Sequence, residues 1–396
     1  MYQGVHSGFC APRASYCIPK NEFLEVLLIM TTLLIASRKG MFTAERNSGA
    51  GVWAITGHHF HGEPVTQVLA DPRDGTWYAA LRLGHFGVKM RRSVDRGVTW
   101  AEIPAPAFPP KPTAGEWADD ATPWSVDLVW SLAAGGAHDP KTLWAGCMPA
   151  GLFRSQDGGD SWQLIDSLWL DARRKGWFGG GNDHPGLHSI CVDPNNSRRL
   201  TLAISCGGVW RSEDAGKTWA LWGNGLLAPY MPPDVDNDPN VQDGHSLSMC
   251  TAHPEVMWVQ HHAGAYRSTD GGANFTRLTP PMPSDFGFVI VADPVNPLRA
   301  WVVPARADTH RYAVDGAMCV MRTDDGGKTW QAFRNGLPQT HAYHLVYRHG
   351  LALAADRKTI AMASTTGGAW VSEDAGENWV TLAAQLPPVA AVAWAE

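Results

Sequence analysis

The sequence has few charged residues and little net charge. Charged residues make up 18% of the 396, and the formal net charge at pH 7 is −6. Proteins that bind nucleic acid or an anionic membrane surface carry clustered lysine and arginine. The composition therefore gives no reason to expect a nucleic acid or a membrane as a partner.

Cysteine is scarce, and the first residues do not have the pattern of a secretion signal. The seven cysteines are an odd number and include no close pair of the metal-binding kind, which argues against a disulfide framework. Residues 23–36 are apolar, but Glu25 interrupts them and no small-residue cleavage site follows. We therefore expect a cytoplasmic protein, with residues 1–29 as a tail outside residues 30–396, which form a single domain.

What the chain does contain is a repeated turn. Glycine (41 residues) and proline (28 residues) are abundant, as in an all-β protein with many turns. The turn motif reads Ser/Thr-x-Asp-x-Gly-x-x-Trp/Phe, and its hydroxyl and carboxylate can accept backbone N–H groups while the glycine allows a positive φ. Copies separated by 49 to 62 residues indicate a repeat protein. The six copies begin at Ser93, Ser155, Ser212, Ser268, Thr323 and Ser372.

This turn motif resembles the Asp-box, or BNR repeat, of sialidases, the sortilin ectodomain, xyloglucan-cleaving glycosidases and the photosystem II assembly factor. In those families the box joins the third and fourth strands of a β-propeller blade. The resemblance covers nearly the whole chain and implies an Asp-box, sialidase-like β-propeller, similar to bacterial proteins labelled sialidase-like or glycosyl hydrolase. Sialidases also carry an Arg-Ile-Pro-type motif in the first blade. Here that position reads Ser37-Arg38-Lys39-Gly40, so sialidase activity itself is not expected.

Short apolar runs give the number of blades. An inner strand followed by a polar turn is predicted at residues 65–72, 129–135, 187–194, 247–254, 286–294 and 343–350. Second strands follow at residues 76–83, 142–147, 200–205, 256–261, 300–304 and 359–364. A seventh blade takes its outer strands from residues 33–37, 40–42 and 52–55. We predict that its inner strand is residues 389–394, so that the C-terminal strand closes a seven-bladed ring on the N-terminal blade.

Candidate functional residues fall on one face of this ring. The longest insertions, at residues 104–128, 166–186 and 223–246, connect one blade to the next and share a face with the loops between second and third strands. Histidines from separate blades converge there near the axis. His59, His61, His253 and His349 are expected to lie away from this group, with His253 and His349 on the opposite face.

The leading hypothesis is an enzyme of the hydrolase or lyase type, acting on a small molecule or carbohydrate derivative in this His-rich funnel. One of the histidines would act with Glu63 as acid and base, and Arg38 and Lys39 would attract an anionic group. The candidates for catalysis are Glu63, His188, His245 and His344. Those for substrate binding are Arg38, Lys39, His85, Trp177, Phe178, His341 and Tyr343, with Trp177 or Phe178 stacking on a flat group.

Two other hypotheses remain open. Imidazoles from different blades at one depth can bind one divalent transition metal such as iron, copper, zinc or manganese, with Glu63 or Asp285 as an oxygen ligand; the predicted ligands are His188, His245, His262 and His344. Alternatively, the propeller is a non-catalytic scaffold that binds a protein partner, as the assembly-factor resemblance allows.

Overall fold

The protein is a seven-bladed β-propeller. A computed structural model describes Met1 and residues 31–46, 51–280 and 282–396; the predicted tail lies outside these residues except for Met1. Seven four-stranded antiparallel sheets form the blades. The inner strand of each blade contacts the inner strand of the next, and the last contacts the first. This confirms the predicted fold class and blade number.

The strands follow the chain order, four to a blade, after a first blade that contributes three. Blade 1 contains β1 (Thr32–Ser37), β2 (Gly40–Arg46) and β3 (Trp53–His59). Blade 2 contains β4 (Val65–Ala70), β5 (Trp77–Arg82), β6 (Val88–Ser93) and β7 (Ala101–Ile103). Blade 3 contains β8 (Leu128–Ala134), β9 (Leu143–Met148), β10 (Leu152–Ser155) and β11 (Gln163–Leu164). Blade 4 contains β12 (Leu187–Asp193), β13 (Asn196–Ile204), β14 (Gly208–Ser212) and β15 (Ala220–Trp222).

The remaining blades have the same arrangement. Blade 5 contains β16 (Gly244–Met249), β17 (Met257–His261), β18 (Gly264–Ser268) and β19 (Thr276–Arg277). Blade 6 contains β20 (Gly287–Ala292), β21 (Ala300–Pro304), β22 (Val320–Thr323) and β23 (Gln331–Phe333). Blade 7 contains β24 (Leu351–Leu353), β25 (Ile360–Ala363), β26 (Ala369–Ser372) and β27 (Val380–Ala383), and β28 (Val389–Ala395) returns to blade 1.

Helices are short and confined to loops. The α-helix α1 spans Asp166–Trp169, and single 3₁₀ turns cover Gly84–Phe86, Ala172–Gly176, Pro239–Val241 and Val314–Gly316. Within the described ranges, none of these helices has the length and apolar character needed to cross a membrane.

The C-terminal strand closes the ring as predicted. β28 pairs antiparallel with β1 and becomes the inner strand of blade 1. Leu34 lies opposite Ala393, and Thr32 lies opposite Ala395. Because β1 is thereby paired on both sides, closure removes an edge that could pair with another chain.

The six motif copies form the turns between third and fourth strands, as the resemblance implied. In blade 4, Ser212 Oγ accepts a hydrogen bond from the Gly216 N–H (2.8 Å) and donates one to Asp214 Oδ1 (2.9 Å). The Thr218 N–H and hydroxyl donate to the two oxygens of the same carboxylate. Backbone hydrogen bonds from Thr218 help to lower the pKa of Asp214 to about 2. The turn is thus stabilised locally, which explains why its sequence recurs.

Hydroxyl groups and tryptophans hold neighbouring blades together. Thr66 Oγ1 on β4 donates to the Val129 carbonyl on β8 (2.8 Å), and Ser131 Oγ on β8 donates to the Leu187 carbonyl on β12 (3.0 Å). Further out, fully buried indoles such as Trp210 pack between blades 3 and 4. The inner ring is therefore rigid, and loops above it are held on a fixed scaffold.

Two predicted inner strands are displaced in the structure. Residues 343–350 were predicted as a strand, but the inner strand of blade 7 is Leu351–Leu353 and most of residues 343–350 are irregular. In blade 5 the inner strand starts at Gly244 rather than at Leu247. The polar residues that end these two predicted runs are not at equivalent positions of the repeat, because His253 follows its inner strand whereas His349 precedes its own. This changes which residues reach the axis.

Candidate functional site

Each inner strand carries one residue at the same level near the propeller axis. In blades 1 to 6 a β-bulge leaves this residue outside the regular pairing, and bulges re-aim side chains. In blade 7 the equivalent residue lies two positions before β24. Six of the seven line one cavity, and the remaining one, His188, is buried and packs edge to face on Trp130. In blade order from blade 2, with blade 1 last, the residues are Thr66, Trp130, His188, His245, Phe288, His349 and Ala390.

The cavity has a volume of about 300 Å³ and lies above this ring. Its walls come from connections between blades, which supply Gly180 and Arg348, and from loops between second and third strands, which supply Arg38 and Arg311. In an antiparallel blade these two kinds of connection lie on the face opposite the third-to-fourth-strand turns. The cavity therefore occupies the face on which the sequence places the functional residues.

A carboxylate and two imidazoles meet in one wall of the cavity. Asp243 Oδ2 lies 3.3 Å from His245 Nε2 and 3.7 Å from His262 Nδ1. Asp243 and His245 are 6% and 2% exposed, whereas His262 is half-buried. The His262 N–H donates to the Asp243 carbonyl oxygen (3.0 Å). The three side chains thus meet where β16 begins and β17 ends, since Asp243 precedes β16, His245 lies on it and His262 follows β17. We call this group the Asp243 cluster.

Hydrogen bonds orient the outer atoms of the Asp243 cluster. Ser205 Oγ (3.1 Å) and the Cys206 N–H (3.3 Å) donate to Asp243 Oδ1, so Oδ2 faces the histidines. His245 Nδ1 lies 2.6 Å from the Gly287 carbonyl oxygen. Since a carbonyl only accepts, Nδ1 carries the proton in this tautomer. The other ring nitrogen, Nε2, then faces Asp243.

The buried carboxylate stays ionised. Burial raises the pKa of Asp243, but the combined effect of His245, His262 and Arg348 lowers it by more. The resulting pKa lies well below the usual range of an aspartate. For His245, burial lowers the pKa more than the Asp243 carboxylate raises it. Near neutral pH the pair is therefore a carboxylate beside a neutral imidazole.

Two arginines in the cavity lack an acidic partner. Arg82 and Arg311 form ion pairs with Asp127 (2.7 Å) and Asp308 (2.5 Å). No carboxylate of the described chain segments lies within 4.0 Å of the other two, Arg38 and Arg348.

Arg348 lies against aromatic rings instead of an acid. Its guanidinium carbon lies 4.7 Å from the Trp130 ring centre and 5.6 Å from that of Phe288. Burial lowers the pKa of Arg348, but arginine remains protonated at neutral pH because its ordinary pKa exceeds 12. Among the described residues, the cavity therefore contains two guanidinium groups outside ion pairs, Arg38 and Arg348, and one carboxylate, Asp243, that offsets only part of their charge.

The structure brings only part of the predicted residue set to the cavity. Arg38, His245 and His262 line it. His188 lies just outside, where its Nδ1 contacts Ser189 Oγ at 2.9 Å. Glu63 is half-buried and does not line the cavity. The misaligned blade 7 explains the position of His344, which bonds Thr366 Oγ1 at 2.6 Å through Nδ1.

The other predicted binding residues also lie outside the cavity. Lys39 is exposed, and His85 is exposed and packs on Phe86. Trp177 is 8% exposed and packs on Trp210, with Nε1 donating to Asn240 Oδ1 at 3.0 Å. Trp177 therefore packs inside the protein and is not free to cover a ligand. Phe178 is half-buried beside it. His341 and Tyr343 are exposed, Tyr343 at 63%.

Several cavity residues were missed or misplaced at the level of sequence. His349 was assigned to the opposite face, which is wrong: it lines the cavity, and Nε2 lies 2.8 Å from the His188 carbonyl oxygen. Arg348 and Trp130 were not considered. One local signal was available for Asp243, because Asp243 and His245 are two residues apart and an extended chain turns such residues to the same side.

Comparisons with known proteins place the chain near carbohydrate-active enzymes. No protein-family model matches. A xyloglucanase of Paenibacillus sp. is 28% identical over 146 residues, which cover 32% of this chain and 13% of the relative. An oligoxyloglucan-reducing end-specific xyloglucanase of Emericella nidulans is 26% identical over 222 residues, or 48% of this chain and 25% of the relative. The matches thus span a quarter of these relatives' length or less.

Solved structures support the fold. An ancestral GH74 enzyme superposes with a TM-score of 0.54 at 16% identity, covering 83% of this chain and 38% of that one. A putative 6-phosphogluconolactonase from Bacteroides uniformis gives a TM-score of 0.55 at 11% identity, covering 92% of this chain and 99% of that one. The chain is therefore a β-propeller with distant similarity to glycoside hydrolases, while its membership of the Asp-box family stays a prediction.

Proposed function

We propose that this propeller is a hydrolase or lyase that acts on a small anionic carbohydrate derivative in the axial cavity. The observation that carries the proposal is the presence of Arg38 and Arg348, neither in an ion pair within the described ranges, beside the single carboxylate of the Asp243–His245 pair. The similarity to xyloglucanases supports a carbohydrate as the ligand class. It does not define the charged group, which is inferred from the cavity itself.

An anionic ligand would balance the charge in the cavity. A desolvated cation without a partner is unfavourable, and a guanidinium binds a carboxylate or phosphate through two parallel hydrogen bonds. A volume of about 300 Å³ is at the lower end of ligand pockets, which suits a ligand of monosaccharide size. Trp130 and Phe288 offer apolar ring faces next to Arg348.

His245 is the proposed acid–base residue. Of the four predicted catalytic residues, Glu63, His188 and His344 do not line the cavity, whereas His245 does. Its Nε2 faces Asp243, which would stabilise the imidazolium formed when His245 accepts a proton. Once a substrate is known, His245→Gln should abolish its turnover without loss of the fold.

Arg348→Met tests the ligand class before any substrate is known. We expect glucuronate and glucose 6-phosphate, but not glucose, to raise the melting temperature of the wild-type protein, because a ligand at 100 times its Kd stabilises the native state by about 2.7 kcal/mol. The variant should lose this response. Without ligand it should melt near the wild-type temperature, since the substitution breaks no ion pair of the described chain and methionine can still pack on Trp130 and Phe288. Differential scanning fluorimetry measures both effects.

Arg322→Met is the matched control. Arg322 lies on β22, outside the cavity, and forms ion pairs with Asp324 and Glu377 (both 3.0 Å), so its loss should leave the response to anionic sugars intact. The proposal fails if no anionic sugar stabilises the wild-type protein, or if Arg348→Met responds as the wild type does. A stoichiometric protein partner recovered instead, with no sugar response, would favour the scaffold hypothesis.

A further inference from the structure

We infer that Asp243, His245 and His262 bind one divalent transition-metal ion in the wall of the axial cavity. The inference rests on the proposed function only for what the ion would do, which is to act on the ligand of that cavity. A bound ion would occupy His245 Nε2, so it would take the place of His245 as the group that activates water or substrate there. The site itself follows from the geometry of the Asp243 cluster.

The three side chains have the composition and spacing of a metal site. Their potential ligand atoms all lie within 4.8 Å of one another, and no other group of three such residues meets this condition in the described part of the chain. Two imidazole nitrogens and one carboxylate oxygen are a common donor set for zinc and for ferrous iron. All three residues line the cavity, so a bound ion would be accessible to a ligand.

The tautomer of His245 creates a demand for a cation. Because Nδ1 donates to the Gly287 carbonyl oxygen at 2.6 Å, Nε2 is the ring nitrogen left as a ligand atom, and it lies 3.3 Å from Asp243 Oδ2. Both atoms are acceptors, and both residues are almost fully buried. Two acceptors that face each other away from water are unfavourable unless a cation lies between them. His262 Nδ1, 3.7 Å from the same carboxylate oxygen, adds a third potential ligand atom, which a metal ion can use and a single proton cannot.

The surroundings of the cluster resemble the outer shell of a metal site. Metal-binding histidines usually donate their other N–H to a carbonyl or carboxylate, and ligating carboxylates are themselves hydrogen-bonded. His245 donates to Gly287, and Asp243 Oδ1 accepts from Ser205 Oγ and the Cys206 N–H. Stacking of His245 on Phe288, with ring centres 4.5 Å apart, further fixes the imidazole plane. The ligands are thus pre-oriented.

An ion held by these three side chains would have coordination positions left for a ligand of the cavity, because all three residues line it. Three protein ligands with a remaining open position are typical of catalytic rather than structural zinc sites. This ligand set differs from the one predicted from sequence, because Asp243 replaces His188 and His344. Those two histidines direct Nδ1 to the hydroxyls of Ser189 and Thr366.

Zinc binding to the untagged full-length protein tests the inference. After treatment with a chelator and dialysis, isothermal titration with Zn²⁺ should give about one equivalent bound, and Co²⁺ should give a visible absorption spectrum of nitrogen and oxygen ligation. Asp243→Asn and His262→Gln should each weaken zinc binding at least about tenfold, and Ser205→Ala, which removes an outer hydrogen bond, by about 10–100-fold. His344→Gln is the control and should bind as the wild type does.

The result that overturns the inference is less than about a tenth of an equivalent of zinc or cobalt, or unchanged affinity in His262→Gln. His262 is half-buried, so this variant remains informative if Asp243→Asn fails to fold by circular dichroism. Zinc titration needs no sugar, and the sugar response can be measured with chelator present. Failure of one proposal is therefore distinguishable from failure of the other.

Discussion

His349 is a half-buried titratable residue in the cavity wall, and it links the stability of the fold to pH. Its Nε2–H donates to the His188 carbonyl (2.8 Å), and burial lowers its pKa to about 4. In the unfolded chain the pKa is about 6.5, so between these values the unfolded state binds more protons. Stability present at pH 7 should therefore fall as the pH drops from about 6.5 to about 4, by on the order of 2 kcal/mol for this residue.

His349→Gln should make this pH dependence shallower, because glutamine can still donate to the His188 carbonyl but does not titrate. Urea denaturation at pH 7, 6, 5 and 4.5 gives the free energy of unfolding at each pH. His253→Gln, at an exposed histidine, should leave the dependence as it is in the wild type. Equal slopes for His349→Gln and the wild type would contradict the assignment.

At the scale of the element, each motif turn depends on a buried hydroxyl. Ser212 is 1% exposed, and its Oγ accepts from the Gly216 N–H. Ser212→Ala leaves that N–H without a partner, which should cost about 1–3 kcal/mol. Thermal and urea unfolding midpoints measure the loss. Lys217→Ala in the same turn keeps the backbone hydrogen bond to Asp214 and should change stability little. If both variants had the same effect on stability, the Ser212 hydroxyl would not be what stabilises the turn.

At the scale of the whole molecule, the ring depends on its last strand. A stop codon after Pro388 removes β28, which carries the buried residues Val389 and Ala391 and covers one edge of β1. We expect loss of the cooperative unfolding transition and association through the exposed edge, seen by calorimetry and size-exclusion chromatography. A synthetic peptide of residues 389–396 should restore the transition, whereas a scrambled peptide should not. A monomeric truncated protein with the wild-type melting temperature would exclude a closing role for β28.

Fold prediction from sequence succeeded where the determining interactions are local. The hydrogen bonds of a motif turn lie within eight residues, as from Ser93 to Trp100, so each copy of the pattern identifies one turn between a third and a fourth strand. Hydrophobic runs such as Thr32–Ser37 identify buried strands directly. Six copies and one split blade were therefore enough to predict seven blades and their closure.

Only the tertiary structure shows which residue of each inner strand lies near the propeller axis. In blade 7 the sequence predicts His344 at the axis, whereas the structure places His349 there, five residues later. The inner strand of this blade has only three residues, and a long irregular segment precedes it. A shift along a strand changes both the face and the depth of every side chain. The bulges that turn Trp130 and His245 toward the axis appear only in the pairing register.

The sequence by itself thus determined the architecture and the face that carries the cavity, because repeated local patterns specify turns and strands. Only the tertiary structure decided which side chains meet there. Arg38, Asp243 and Arg348 come from blades 1, 5 and 7, and their distances depend on strand register and ring closure rather than on spacing along the chain. Convergence of residues from separate blades is a property of the closed ring, so no local pattern encodes it.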